Sequence, residues 1–331
     1  MQSKYRNIFL LFGLAAIAVM VLTFDMPYEE LWQNVRRAGY WFPAVILLWG
    51  FIYMMNALAW AQIINDGEGQ KVPYWRVYKF TITGFALNYT TPVGLMGGEP
   101  YRIMELTPYI GAQKATSSVI LYVMTHIFSH FCFWFFSVLL FIVIHFSKLN
   151  VAVSTVLALI AAACVLAIYF FGRGYRNGLA RKGILMLSHL PFLRSWALRF
   201  LQEKGESLDR IDAQIAQLHA KRKATFYGAI MLEFLARVVN ALEIYFILMI
   251  LTTHVNFFDC ILMLAFSSLF ANILFFFPMQ IGAREGGLAI ITDSLSMKGA
   301  YGVYTGLITR VRELIWIMIG IALMKFGNKK R

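Results

Sequence analysis

The sequence predicts an all-α polytopic membrane protein, with about six spanning helices and two re-entrant helical hairpins in an inverted-topology repeat. Three observations carry that expectation. Hydrophobic residues make up 60% of the 331-residue chain and charged residues only 14%, against about 25% charged in a soluble domain. Eight apolar segments recur along the chain, several long enough for the ~30 Å hydrocarbon layer of a bilayer. Two of them are broken by proline and glycine and carry acidic and basic residues.

The eight segments run over roughly 8–24, 40–63, 78–92, 115–146, 151–171, 225–251, 258–277 and 300–325. The first follows Lys4 and Arg6 and lacks a small-x-small cleavage site, so a retained helix is expected there and not a removed signal peptide. Residues 25–39 read as a short amphipathic interfacial piece. The polar stretch 172–223 holds eleven basic residues against Glu203, Glu206, Asp209 and Asp212. The positive-inside rule puts it in the cytoplasm, as an amphipathic surface segment facing anionic lipid headgroups. Lys4 and Arg6 at one terminus and Lys325, Lys329, Lys330 and Arg331 at the other place both termini on that side too, in a multi-pass protein of the cell (inner) membrane.

That topology constrains the crossings. Five segments precede the basic stretch and three follow it, so one on each side must enter and leave by the same face. From Phe80 to Thr91 the third segment has twelve residues, about 18 Å of helix. Pro92 and the glycines Gly94, Gly97 and Gly98 end it. Its counterpart, 258–277, ends at Pro278 and is followed by Gly282, Gly286 and Gly287. In each, a proline precedes a glutamate by seven residues (Pro92 to Glu99, Pro278 to Glu285), an asparagine lies upstream (Asn88, Asn272), and a Gly-Ala pair precedes the next long helix. The expected organisation is one membrane domain over 1–331, with repeat one at about 40–146 and repeat two at about 225–325. The expected hairpin breaks are Pro92, Gly97, Gly98, Pro278 and Gly282. Paired interrupted segments of this kind point to a transporter's binding site.

Charge inside a bilayer costs at least ~2.5 kcal/mol on insertion scales, so each such residue needs a partner or a purpose. The candidates are Glu99, Arg102 and Glu105; Arg284, Glu285 and Asp293; Glu233, Arg237 and Glu243; and Arg310, Arg312 and Glu313. One reading is a central polar cavity in which arginines grip a lipid phosphate through bidentate hydrogen bonds. The other is ion pairs that only hold helices together, Glu233 and Arg237 being four apart on one helix face. His126 and His130 share a face and read as a stacked, satisfied pair, not a metal site. Gly302 and Gly306 form a small-x-x-x-small packing surface. Cys132, Cys164 and Cys260 lie in apolar runs with no metal spacing and read as packing residues. No phosphate-cradling Gly-Lys-Ser/Thr loop is present, and a net charge of +13 distributed between apolar runs argues for lipid headgroups, not nucleic acid.

The run Thr91-Pro92-Val-Gly-Leu-Met-Gly-Gly-Glu99-Pro100-Tyr-Arg102 resembles the transmembrane flippase domain of the lysylphosphatidylglycerol synthase family. The Pro278…Gly282…Glu285-Gly stretch and Arg310 in the last helix fit the same family, and the resemblance covers roughly residues 8–325. It implies movement of lipid between leaflets. Two-domain members carry a soluble aminoacyltransferase after the membrane region, whereas here the chain ends at Arg331, so synthase activity is not carried over.

The expected function is therefore a lipid translocase with no ATPase of its own and no cofactor or metal. Its substrate is a phospholipid or other lipid-linked phosphate. The expected headgroup-binding residues are Glu99, Arg102, Arg284, Glu285, Arg310 and Arg237, with oligomerisation open. The competing readings are a membrane-embedded enzyme acting on lipid phosphates and an accessory membrane subunit. The chain shows no Ser/His/Asp order or paired aspartates of catalytic spacing, which disfavours the enzyme.

Overall fold

A computed structural model describes residues 33, 36–65, 71–90, 97–177, 180–189, 194–252, 254–273 and 283–325. Every element among them is helical. In chain order these are α1 (Trp41–Ile64), α2 (Tyr74–Thr90), α3 (Gly98–Ile110), α4 (Ala112–Ile144), a 3-10 turn at Phe146–Lys148, α5 (Val151–Asn177), α6 (Ala180–Leu187), α7 (Arg194–Lys221), α8 (Lys223–Leu251), α9 (Phe257–Ile273), α10 (Ala283–Ser294) and α11 (Gly299–Lys325). The first apolar segment, Pro92, Pro278 and Gly282 lie outside the described residues.

Among the described residues four helices are long and apolar enough to cross a membrane: α1, α4, α5 up to Tyr175, and α8. Helix α11 has the length, 27 residues, but places Arg310, Arg312 and Glu313 in its middle. All three are buried, so they face other helices. Together these features make the chain a multi-pass membrane protein.

The third apolar segment is longer than the sequence suggests. Helix α2 begins at Tyr74 and has 17 residues, about 26 Å. Arg76 and Lys79 hid its first turns from the apolar pattern. Pro73 sits just ahead of it, where a missing N–H costs nothing, and its carbonyl accepts from the Arg76 and Val77 amides. The Tyr74 and Tyr78 hydroxyls then donate to the Met54 and Gly50 carbonyls of α1, which fixes the rise of α2 along α1. The described part of its counterpart α9 also has 17 residues.

The packing order recurs. Helix α2 packs on α3 and α3 on α4; α9 packs on α10 and α10 on α11; α1 lies against α8 at the centre. Close approach in both halves depends on glycine. A Cβ on Gly98 of α3 would come within 2.8 Å of Asn88 Oδ1 on α2, and one on Gly302 of α11 within 2.5 Å of the Leu288 carbonyl carbon on α10. Gly302 thus serves the close packing its spacing predicted. Gly111, at φ +78°, ends α3 in a conformation only glycine adopts freely and releases the chain into α4.

The basic stretch is not one continuous surface segment. Its first residues extend α5 to Asn177. The rest folds into α6 and α7, which pack on each other, and α7 packs on α4 and α5. Leu208, Ile211 and Ile215 are the buried face of α7, at the three- and four-residue steps of an amphipathic helix. The Arg181 guanidinium pairs with Asp209, and the Arg181 amide donates to Asp212 Oδ2 at 3.1 Å. Asp209 holds the exposed Arg181 above its ordinary pKa.

Candidate functional site

Helices α2 and α3 form the two arms of the first broken segment, and one side chain ties them together. Asn88, near the end of α2, accepts from the Gly98 amide at 2.6 Å and donates to Glu99 Oε1 at 3.0 Å. The first N–H of α3 and one oxygen of its first acidic residue are thereby bonded to the same amide group. Glu99 stands at the helix N-terminus, where an anion is favoured.

One turn later, Arg102 points back beneath α2. It is 1% exposed. Its Nη1 lies 3.5 Å from Glu99 Oε1, and its Nη2 donates to the Thr81 carbonyl at 3.4 Å. Both contacts are long. Among the described residues its Nε has no hydrogen-bond partner, and neither has Glu99 Oε2. The rings of Phe85, Tyr122 and Trp60 surround the guanidinium carbon at 4.8, 5.4 and 5.6 Å, so aromatic faces hold the charge. Gly84 makes the room: a Cβ there would come within 2.8 Å of the guanidinium carbon. Trp60 stacks on Tyr122 at 5.4 Å, and among the described residues the Trp60 Nε1 has no hydrogen-bond partner.

Tyr122 leads into a second group, at the middle of α4 and α8. His126 Nδ1 lies 2.7 Å from Glu233 Oε2. Arg237 donates from Nε to Ser129 Oγ at 2.9 Å and from Nη2 to the His126 carbonyl at 2.8 Å. Glu233 and Arg237 therefore both reach across to α4, contrary to the expectation of a pair along one helix face. Among the described residues His130 Nδ1 has no partner. The His126 and His130 rings meet edge-on at 5.4 Å. The histidines are therefore not the stacked, satisfied pair expected: they meet edge-on, His126 is bonded to a carboxylate from another helix, and the Nδ1 of His130 has no partner among the described residues. Among the described residues no group of three or more His, Cys, Asp or Glu side chains comes together.

A third group is saturated. Arg312 makes a two-point contact with Glu243, at 2.7 and 3.0 Å. Glu243 Oε2 also accepts from Trp49 Nε1 at 2.8 Å, and the Arg312 guanidinium carbon sits 3.8 Å above the Trp49 ring. Glu313 bridges Arg312 and Arg310 at 3.9 and 3.6 Å. An aromatic path joins the groups: Trp49 meets Tyr53 at 5.4 Å, Tyr53 meets Phe85 at 5.4 Å, and Phe85 reaches His126 at 5.9 Å.

Among the predicted site residues, the structure brings Glu99 and Arg102 together and sets Arg237 in the adjoining group. Arg310 pairs with Glu313 in the saturated one. Arg284 and Glu285 fall in the first turn of α10, as Glu99 does in α3, but their side chains lie outside the described residues. Gly97 precedes α3, and Gly98 is a tight contact within it. Asp293 is exposed near the end of α10. The sequence reading missed Trp60, Phe85 and Tyr122, which in a chain that is 16% aromatic carry no distinguishing pattern, and it missed the pairings of Glu233 and Glu243.

The chain was compared with known proteins on this basis. No curated protein and no solved structure matches it. The family described as the lysylphosphatidylglycerol synthase TM region matches residues 10–321, nearly the whole chain. Helices α1 to α10 and most of α11, with all three buried charge groups, fall inside that match, and the chain belongs to the lysylphosphatidylglycerol synthase transmembrane-region family.

Proposed function

We propose that the chain is a lipid translocase that moves an intact phospholipid or other lipid phosphate between leaflets, with no ATPase of its own. Its family is a membrane domain linked to lipid modification or translocation. The single observation that carries the finer reading is Arg102. It is a buried guanidinium with an unused N–H, loose contacts to its neighbours and aromatic walls, placed on the second arm of a broken segment. A buried guanidinium whose hydrogen bonds are so incompletely made is costly unless a ligand completes them. A phosphate does so, since Arg recognises it bidentately.

In this reading the chamber bounded by Arg102, Tyr122 and Arg237 receives the headgroup while the acyl tails stay in the bilayer. The halves α1–α4 and α8–α11 are inverted repeats, α2–α3 and α9–α10 are re-entrant hairpins, and the second hairpin carries Arg284 and Glu285 in its sequence. The termini and the basic stretch face the cytoplasm of the cell membrane, where α6 and α7 lie near anionic lipid headgroups.

The test is a scrambling assay in reconstituted vesicles with fluorescent phosphatidylglycerol. Wild-type protein should move the lipid, and monodisperse Arg102→Met should not. Equal activity in the two would end the central-site reading. The buried His126–Glu233 contact favours a second reading, a membrane-embedded enzyme with that pair as acid and base. Mass spectrometry of the vesicle lipids separates the two, because an enzyme leaves a changed lipid and a translocase leaves the lipid intact.

A further inference from the structure

We propose that the His126–Glu233 pair is a proton-binding site, and that an anionic headgroup entering beside Arg102 takes up a proton with it. The inference rests on the translocase reading and names a second cargo for the same chamber.

The pair lies between the middles of α4 and α8, with Nδ1 and Oε2 at 2.7 Å and Glu233 1% exposed. In the tautomer that donates from Nδ1 to Glu233, Nε2 is left to accept a proton. The charged and titratable groups around His126 are Tyr122 and His130 of α4, Glu233 and Arg237 of α8, and Arg102 of α3; α2 presents the Phe85 ring. Cys132 lies beyond, toward Arg237. Arg237 is held by Ser129 and the His126 carbonyl.

The charges balance only in the empty state. Glu99 offsets Arg102, and Glu233 offsets Arg237. A proton added to His126 is then an uncompensated positive charge among the rings of Phe85 and Tyr122, and a phosphate at Arg102 is an uncompensated negative one. Each is costly alone in such surroundings. Together they cancel. Phe85 touches both places, 4.8 Å from the Arg102 guanidinium carbon and 5.9 Å from the His126 ring centre, so the two charges share one wall. The proton comes from water on the side where the headgroup enters, adds to His126 Nε2, and returns to water when the headgroup leaves. No other bond is made or broken. By linkage, each ligand tightens the other to the same degree.

The test uses the purified full chain in neutral detergent, weakly buffered near pH ~6.5 where histidine titrates, with a pH indicator and dihexanoyl-phosphatidylglycerol as probe. Binding should be accompanied by uptake of about one proton per protein, and affinity should fall up to about tenfold per unit rise in pH. His126→Gln should bind the probe without proton uptake and with flat pH dependence. Wild-type binding with no uptake and no pH dependence overturns the proposal, as does full uptake by His126→Gln. The wild-type pH series stands even if the variant does not fold. Absence of any binding would instead overturn the translocase reading, and the proton site with it.

Discussion

Arg102 and Arg312 are both buried arginines set against aromatic rings, and they differ in one respect. Arg312 has its guanidinium gripped twice by Glu243, whose second oxygen also takes Trp49 Nε1. Arg102 has one long contact to Glu99, one long contact to a carbonyl and an Nε with nothing. Burial and charge are the same; saturation is not. A saturated buried pair holds helices α8, α1 and α11 in register and leaves nothing with which to bind. The incompletely bonded arginine is held among aromatic rings with an N–H unused, and in the proposed reading that N–H is what a phosphate takes.

That contrast can be broken most directly at the saturated pair. Arg312→Ala strands Glu243 in the core and should cost about 3–5 kcal/mol, read as a drop in thermal stability or loss of monodispersity in detergent. A variant as stable as wild type would erase the structural role assigned to this group. Gly98→Ala should come next. Its new methyl group meets α2 backbone and the Asn88 side chain, an overpacking of about 1–3 kcal/mol, and thermal unfolding checks it. Lipid movement should fall with it, because Asn88 and Glu99 are pushed apart.

Arg102→Met leaves Glu99 with its Asn88 contact and partial exposure, so stability should fall by about 1–3 kcal/mol, less than for Arg312→Ala, while lipid movement is lost. The pairing of small stability loss with complete functional loss is the signature sought; large losses of both would make Arg102 a second Arg312. Smallest of all is Arg181→Ala. Its partner Asp209 is half-exposed and exposed pairs contribute little, so melting temperature and lipid movement should match wild type. A clear destabilisation there would show that α6 and α7 anchor the helices they pack on.

Much of the first site was legible because its parts lie close together in sequence. Asn88, Gly98, Glu99 and Arg102 fall within fifteen residues, and a proline-glycine break followed by Glu and Arg has few explanations inside a bilayer. Pairing across the fold was not legible. His126 meets Glu233 across 107 positions and Arg312 meets Glu243 across 69. Each residue stood out as a charge or a histidine, yet helical spacing suggested Glu233 with Arg237, a neighbour in sequence that the fold sends elsewhere. Gly84 did leave a signal. A lone glycine inside an apolar helix costs about 1 kcal/mol against alanine, and here it vacates the space that Arg102 fills.

Helices α4 and α5 have 33 and 27 residues, about 50 and 40 Å at 1.5 Å per residue, both beyond the ~30 Å apolar thickness of a bilayer. Only 6% of the most apolar window of α5 is covered by the rest of the protein, so lipid is its principal solvent. Such rods meet a thin bilayer by tilting or by stretching the lipids around them. Helix α4 carries His126 and Tyr122, so its inclination sets where those groups stand relative to Glu233 and Arg102. If the chain moves lipid as proposed, membrane thickness is thereby a mechanical input to the site, and vesicles built from lipids of increasing chain length should tune the rate of transport with no change in headgroup chemistry.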